Sequence, residues 1–470
     1  MKRCFLLLVS ILFFATAKAQ SWDSYPSYET YVEYMQQTAQ KHKDICRLDT
    51  IGTSVEGRLL LCMKISNDLN GKNNKPKFFY SAAMHGNELT GAIMLLRLID
   101  TLVTNSNFTA TNSAFPDVYI CPYANPDGTW QGGNSTISGA MRYNANYEDL
   151  NRNYPDIRTG KNSDGENRQA ETQAFMTYQE KEKFNMSCNL HTGSEVFNYP
   201  WDSYRSSKNK HADDEGFKQL GKDFVSSLND DKGTYFKDVN NSGIVEGGDW
   251  YVIYGSRQDW STYFAHCREV TLELSMDYTP KANTLDDYWY KLKNSLFTFF
   301  DYCYYGFEGV VTDSITGKPL NNVMITIDNY DKDSSQVITN QNGYYIRPIL
   351  SGSYSVTFSL DGYNFKTLNI NTANNLTDYS VKLSPINTSL NEIEEITAEI
   401  YPLPAENQIT ISTNQQLNYR IIDLNGKIIK KGTVNTFKKV LNTDNWQSGT
   451  YFITLSNDKG QTITRKLIKK

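Results

Sequence analysis

Residues 77–102 read KFFYSAAMHGNELTGAIMLLRLIDTL, and their grammar decides the fold. Lys77 to Ala83 is a short apolar run of the kind that forms a buried strand. Thr90 to Leu102 places apolar residues three and four apart, as a helix packed along one face requires. Working outward, Asp117 to Cys121 (DVYIC) is a second strand, ending in the turn signal Asn125-Pro126-Asp127-Gly128. Asn167 to Lys183 is expected as helix, Asn185 to Leu190 and Val270 to Leu274 as strands, and Leu285 to Phe300 as helix. Strands alternating with helices at this spacing predict an α/β domain with a mainly parallel or mixed sheet over 20–305, its functional groups at strand ends.

Length agrees with more than one module, because 470 residues at roughly 150 per domain suggest about three. Beyond Tyr305 short strands are punctuated by turns such as Thr316-Gly317-Lys318-Pro319 and Gly343-Tyr344, the pattern of a small β-sandwich over 306–384. A polar, acidic stretch, 385–396, reads as a linker. A last β unit, 397–470, contains the hairpin signal Asn425-Gly426. This unit holds 11 Lys/Arg and 5 Asp/Glu, a net of +6, against −11 for the rest of a chain whose total is −5. That balance does not favour a polyanion-binding surface, so nucleic acid is not an expected partner.

At the other end, Met1-Lys2-Arg3, an apolar run to Ala15 and Ala17-Lys18-Ala19 have the order of a signal peptide over 1–19, cleaved before Gln20. The alternative is a membrane anchor, but the run is shorter than the ~20 residues that span a bilayer. No later segment is long and apolar enough to span either, so the mature chain is expected to be secreted or at the cell surface. Few residues separate Gln20 from the α/β domain, so an activating cleavage is not expected. Six cysteines remain after signal removal, which an oxidising compartment could pair or which could be buried free thiols. None is arranged as CxxC.

The chemistry starts in the first turn. His85-Gly86-Asn87-Glu88 puts an imidazole and a carboxylate three residues apart just past a strand, where both can converge on one point. Alone, the pair is a weak signal and reads as a surface histidine and a helix-start glutamate. His191 stands immediately after the strand ending at Leu190, at the same sheet end if the strands are neighbours. Two histidines and a glutamate are the ligands of a catalytic zinc site with an open position for water. His42, His211 and His266 fall in helical or loop contexts and are assigned no role.

Arg142 and Arg152 are interleaved with amides in an irregular segment, RYNANYEDLNRNYP. This is either a solvated loop or a grip for a carboxylate, which a guanidinium holds through two parallel hydrogen bonds. Glu273 alternates away from Val270, Leu272 and Leu274 on its strand. A mid-strand carboxylate in a covered sheet is costly unless paired or working. Near a metal it is the natural general base for a water molecule; on an edge strand it would face solvent.

Read in order, His85-Gly86-Asn87-Glu88, Asn125-Pro126-Asp127-Gly128, Asp149-Leu150-Asn151-Arg152-Asn153-Tyr154-Pro155, Asn189-Leu190-His191, Trp250-Tyr251-Val252, Gln258-Asp259-Trp260 and Glu269-Val270-Thr271-Leu272-Glu273-Leu274 resemble the motifs of zinc metallocarboxypeptidases. The likeness is closest to the regulatory, carboxypeptidase N/E-like branch and covers about residues 25 to 305. It implies one Zn2+ per catalytic domain, held by His85, Glu88 and His191, with Glu273 activating water and passing the proton to the leaving amine. It further implies that Arg142 stabilises the oxyanion, Asn151 and Arg152 bind the terminal carboxylate of a peptide or protein substrate, and Tyr251 closes over it.

In relatives that remove C-terminal Lys or Arg, residues at the offsets of Asp202 and Gln258 line the side-chain pocket. A basic terminus is therefore expected. The stretch Tyr254-Gly255-Ser256-Arg257 departs from the family's Gly-Gly-Met, and an Arg257 facing the pocket would offset the charge of Asp202. The segment 306–384 resembles the transthyretin-like domain of this branch. The final unit, opening on Tyr401-Pro402-Leu403-Pro404, resembles the sorting domain of type IX secretion substrates, implying a secretion machinery as partner. Other readings of the same frame are a zinc amidase acting on cell-wall peptides, a non-catalytic surface adhesin, or an enzyme for apolar or acidic termini should Asp202 face elsewhere.

Overall fold

The computed structural model describes residues 22–71, 74–104, 115–386, 396–435 and 437–470. The segment read as a signal peptide and nearly all of the one read as a linker lie outside these residues. Residues 22–305 build an eight-stranded sheet from β1 (Cys46–Thr53), β2 (Leu59–Ile65), β3 (Lys77–Ala82), β4 (Asp117–Cys121), β5 (Met186–His191), β6 (Ser194–Tyr199), β7 (Ile244–Glu246) and β8 (Arg268–Ser275). The order across the sheet is β1-β2-β4-β3-β5-β8-β6-β7. Its middle pairs, β4 with β3, β3 with β5 and β5 with β8, are parallel, whereas β1/β2, β2/β4 and β8/β6 are antiparallel. Among the described residues seven helices accompany the sheet: α1 (Tyr28–Lys41), α2 (Thr90–Thr104), α3 (Ala170–Glu182), α4 (Asp214–Ser226), α5 (Arg257–Tyr263), α6 (Leu285–Leu292) and α7 (Ser295–Tyr302). Single helical turns add Pro126–Thr129 and Gly247–Trp250.

The centre of the sheet is buried on both faces, as all-apolar strands predict. One face packs Phe78, Tyr80, Leu190 and Leu272 against α2 and α7, and the other packs Phe79 and Tyr119 against Phe175, Tyr178 and Phe184. The chain passes from β3 to β4 on one side and then crosses to β5 on the other side of β3, so a crevice opens at the carboxyl ends of these strands, at a topological switch point. All six cysteines after the first twenty residues are buried and free, which selects the thiol reading over pairing.

Two local expectations need correction. The turn at Asn125-Pro126-Asp127-Gly128 is a helical turn, because the Asn125 side chain accepts a hydrogen bond from Gly128 N at 2.9 Å and proline occupies the first helical position. The helix expected from Leu285 to Phe300 breaks after Leu292. There Asn229 intervenes: its backbone N–H donates to Lys291 O at 3.0 Å and its side-chain amide to Tyr290 O at 2.6 Å, taking the carbonyls that would continue the helix.

Residues 306–383 form two facing β-sheets. One orders Val337–Ile338, Met324–Ile327, Gly352–Ser359 and Lys366–Thr372; the other pairs Gly306–Asp313 with Tyr344–Arg347 and with two short parallel strands. Residues 398–469 form a second sandwich of three and four strands around Ile409, Ile411, Ile421 and Ile453. No helix among the described residues is long and apolar enough to cross a membrane.

A buried charge cluster joins the α/β unit to the first sandwich. Arg347 grips Asp213 through both carboxylate oxygens, at 2.8 and 2.9 Å, and also donates to Asp331 at 2.6 Å. Arg268, the first residue of β8, donates to the same Asp213 at 3.0 Å. Burial opposes ionisation of Asp213, but Arg347 and Arg268 outweigh it and hold its carboxyl below the usual carboxylate range. An acid whose folded pKa is depressed contributes stability above its unfolded pKa of ~3.9 and loses it as pH falls further. Asp213→Asn is therefore expected to cost about 3–5 kcal/mol in urea unfolding at pH 7, the cost of stranding a buried partner. The gap from the unaltered chain should narrow below about pH 4.

Candidate active site

The register of β5 against β8 sets His191 directly beside Glu273. The turn after β3 brings His85 and Glu88 to the same edge, and Thr192 N donates to Glu88 Oε2 at 3.0 Å, tying that turn to the end of β5. The three side chains converge in the interior, each no more than 3% exposed. His85 Nδ1 lies 2.7 Å from Glu88 Oε1, His191 Nδ1 lies 2.9 Å from Glu88 Oε2, and the two ring nitrogens are 3.2 Å apart.

This set fits zinc. Two nitrogens each 2.0–2.1 Å from a tetrahedral ion lie about 3.3 Å apart, close to the separation found. Among the described residues, His85, Glu88 and His191 are the only cluster of at least three potential metal ligands. The far nitrogens are also engaged: His85 Nε2 donates to Asp149 Oδ1 at 3.1 Å, and His191 Nε2 lies 2.6 Å from the Asn189 side-chain nitrogen. A carboxylate behind a ligating imidazole fixes its orientation and raises its basicity.

Asp149, to which sequence reasoning assigns no role, is central to this arrangement. It accepts from His85, from Arg142 Nε at 3.0 Å and from Asn151 N at 2.9 Å. Burial raises the Asp149 carboxyl, but His85, Arg142 and Arg152 together bring it far below the usual range. Its place after an irregular segment gave no periodicity by which to find it.

Charge sorts the remaining groups. Burial raises the Glu88 carboxyl, but His85 and His191 outweigh it and hold it below its ordinary value. Glu273 is 8% exposed, and its Oε2 is buried with no hydrogen-bond partner. Burial, then the charge of Glu88, pushes its carboxyl well above the usual range, with Arg142 acting the other way.

A cleft enclosing about 690 Å³, part of it open solvent, lies over this centre. Arg142, Asn151, Arg152, Tyr251 and Asp202 line it together with the three candidate ligands and Glu273. Tyr251 is 47% exposed at the rim, with the ring centre of Trp250 4.6 Å away. At the inner end Asp202 is 4% exposed, and Gly247 passes so close that a Cβ there would stand 2.0 Å from Asp202 Oδ1. Burial, then the charge of Asp259, raises the Asp202 carboxyl well above the usual range.

Two expectations change. Gln258 does not reach the cleft: it lies behind Asp202, donating to Asp202 Oδ1 at 2.8 Å and to Asn198 Oδ1 at 3.0 Å. Arg257 does not offset Asp202. Its side chain is fully buried, donates to Glu269 Oε1 at 2.9 Å and lies over the rings of Phe175 and Phe79.

Comparison with known proteins follows the same division. The zinc carboxypeptidase family model matches residues 31–295, a carboxypeptidase regulatory-like domain matches 306–384, and a secretion system C-terminal sorting domain matches 399–470. Mouse carboxypeptidase D is 34% identical over 355 residues, covering 72% of this chain, which spans only 25% of that relative. Mouse carboxypeptidase M is 33% identical over 70% of this chain and 77% of its own length. For the mouse carboxypeptidase N catalytic chain the values are 31%, 73% and 82%. The crystal structure of thrombin activatable fibrinolysis inhibitor aligns over 59% of this chain and 73% of its own, with a TM-score of 0.50 at 16% identity, a likeness of fold.

Zinc added to metal-free protein should stabilise the fold, by about 2.7 kcal/mol at a hundredfold excess over Kd, seen as a rise in Tm. His191→Ala should remove that rise.

Proposed function

Because the chain belongs to the zinc carboxypeptidase family, we propose that it is an exported metallocarboxypeptidase that removes the last residue from peptides or proteins and prefers Lys or Arg there. The observation that carries this reading is the single cleft that unites His85, Glu88, His191 and Glu273 with Arg152 and Asp202. His85, Glu88 and His191 would hold one zinc ion. Bound there, zinc supplies Lewis acidity that polarises the scissile carbonyl and makes water acidic near neutral pH.

The chain's own residues supply the rest. Glu273 takes a proton from the attacking water and delivers it to the nitrogen of the departing residue. Its carboxyl stands beside His191 with Oε2 free of any hydrogen-bond partner, so it can accept and return that proton. Arg142, anchored by Asp149, donates to the oxygen that becomes negative as the carbonyl is attacked. Asn151 and Arg152 hold the substrate's free carboxylate, which sets the register so that only the terminal bond reaches Glu273. Tyr251 covers the bound residue.

Asp202 sits at the far end of the cleft from which a side chain would be read. A cationic side chain reaching it would compensate a buried carboxylate that burial otherwise disfavours. Arg257 leaves this arrangement unopposed, since its charge is spent on Glu269. The sorting-domain match over 399–470 supports export through a type IX secretion machinery, to the cell surface or beyond.

With peptides that differ only in the last residue, chelator-sensitive release of single Lys or Arg is expected, read by mass. Action on murein fragments but not on free-ended peptides would overturn the carboxypeptidase reading in favour of an amidase. Glu273→Gln should lower turnover by roughly 10²- to 10⁴-fold while zinc content is kept. Arg152→Ala should act chiefly on KM, because it removes a grip on substrate that is present before and during reaction.

A further inference from the structure

Asp259, one residue beyond Gln258 in α5, is 1% exposed and lies outside the cleft lining. Ser256 caps this helix by accepting from Asp259 N at 3.2 Å. In a capping box the acid at this position would turn back to its own cap. Asp259 instead reaches across to a turn 57 residues earlier. Its Oδ1 accepts from Asp202 N at 2.7 Å, and its Oδ2 accepts from Ser203 N at 2.9 Å and from Ser203 Oγ at 2.5 Å.

The two neighbours in α5 therefore divide one task. Asp259 grips the backbone of residues 202 and 203, and Gln258 grips the Asp202 carboxylate through Oδ1. Gly247 comes so close to the same oxygen that a Cβ there would stand 2.0 Å from it. Little room is left for the carboxylate to shift. A second buried negative charge directly behind Asp202 is costly to place, and three donated hydrogen bonds offset the cost.

We propose that Asp259 is the positioning residue for Asp202, and that discrimination in favour of a C-terminal Lys or Arg depends on it. The inference rests on the basic-terminus reading given above. Charge pairing across a buried contact falls off steeply with misplacement, so a carboxylate free to shift loses selectivity for a cation while the reacting centre keeps its own supports.

The test uses the full zinc-loaded chain and two peptides identical except for a final Lys or Leu, with kcat and KM measured separately. Asp259→Asn, which sets an amide donor against the Ser203 donors, should lower the Lys-over-Leu ratio of kcat/KM by about tenfold to a hundredfold, through KM for the Lys peptide. Ser203→Ala, which removes a single hydrogen bond, should shift the ratio the same way by about threefold to tenfold. It decides the matter if Asp259→Asn does not fold. Proportional loss on both peptides would mean a merely structural part for Asp259 and overturn the inference. A ratio abolished by Asp202→Asn yet untouched by Asp259→Asn and Ser203→Ala would also overturn it, leaving the specificity reading intact. Equal hydrolysis of both peptides by the unaltered protein would overturn both.

Discussion

The parallel pairing of β5 with β8, in a register that sets His191 beside Glu273, is the constraint on which the rest of the site depends. Alternation puts both side chains on the same side of the sheet edge, so a candidate metal ligand and a candidate base are neighbours by backbone hydrogen bonding alone. A slip of one residue would turn Glu273 into the core and bring Leu272 or Leu274 to the cleft. The apolar alternation of Val270, Leu272 and Leu274, all fully buried, makes that slip expensive. The packing of the sheet thereby enforces the geometry of the chemistry.

Much of this was legible in the amino-acid order. The strands containing KFFYSA and DVYIC and the helix beginning at Thr90 announce themselves by apolar runs and periodicity, and the structure places them within one or two residues of expectation. His85, Glu88 and His191 stood out because each follows a strand. What could not be read depends on contacts distant in sequence. The break after Leu292 is imposed by Asn229, and the role of Asp149 appears only when His85 and Arg142 converge on it. Gln258 sits at a predicted offset, but no offset reveals that its amide is consumed by Asp202 and Asn198 before it can reach the cleft.

The α/β unit and the first sandwich share more than a covalent join. Arg268 begins the strand that carries Glu273, and its guanidinium meets Arg347 of the sandwich on one carboxylate, Asp213. Two buried cations around one anion are stable only because Asp331 supplies a second negative charge to Arg347. The start of this strand is consequently referenced to the neighbouring sandwich, five positions from the catalytic candidate Glu273. Such a buried, hydrogen-bonded network tolerates little rigid-body movement between the two units, because any displacement strands a charge.

Arg257 shows how a departure from a family pattern can leave a site intact. A guanidinium introduced beside a pocket built around an acid would be expected to neutralise it, since opposite charges a few ångströms apart interact strongly away from water. Here the side chain turns from the cleft and takes Glu269 as its partner, on the same strand as Glu273 and with neither group exposed. Replacing the pair by apolar groups could be as stable, so stability alone does not account for it. What the pair does secure is the entry of α5: Arg257 N donates to Asn151 Oδ1 at 3.0 Å, while the next two residues hold Asp202. A side chain anchored in the core thus fixes a backbone segment that touches both ends of the cleft, the amide beside Arg152 and the acid at the inner end. The charge that would have disturbed the pocket serves, once buried and paired, to keep its walls in register.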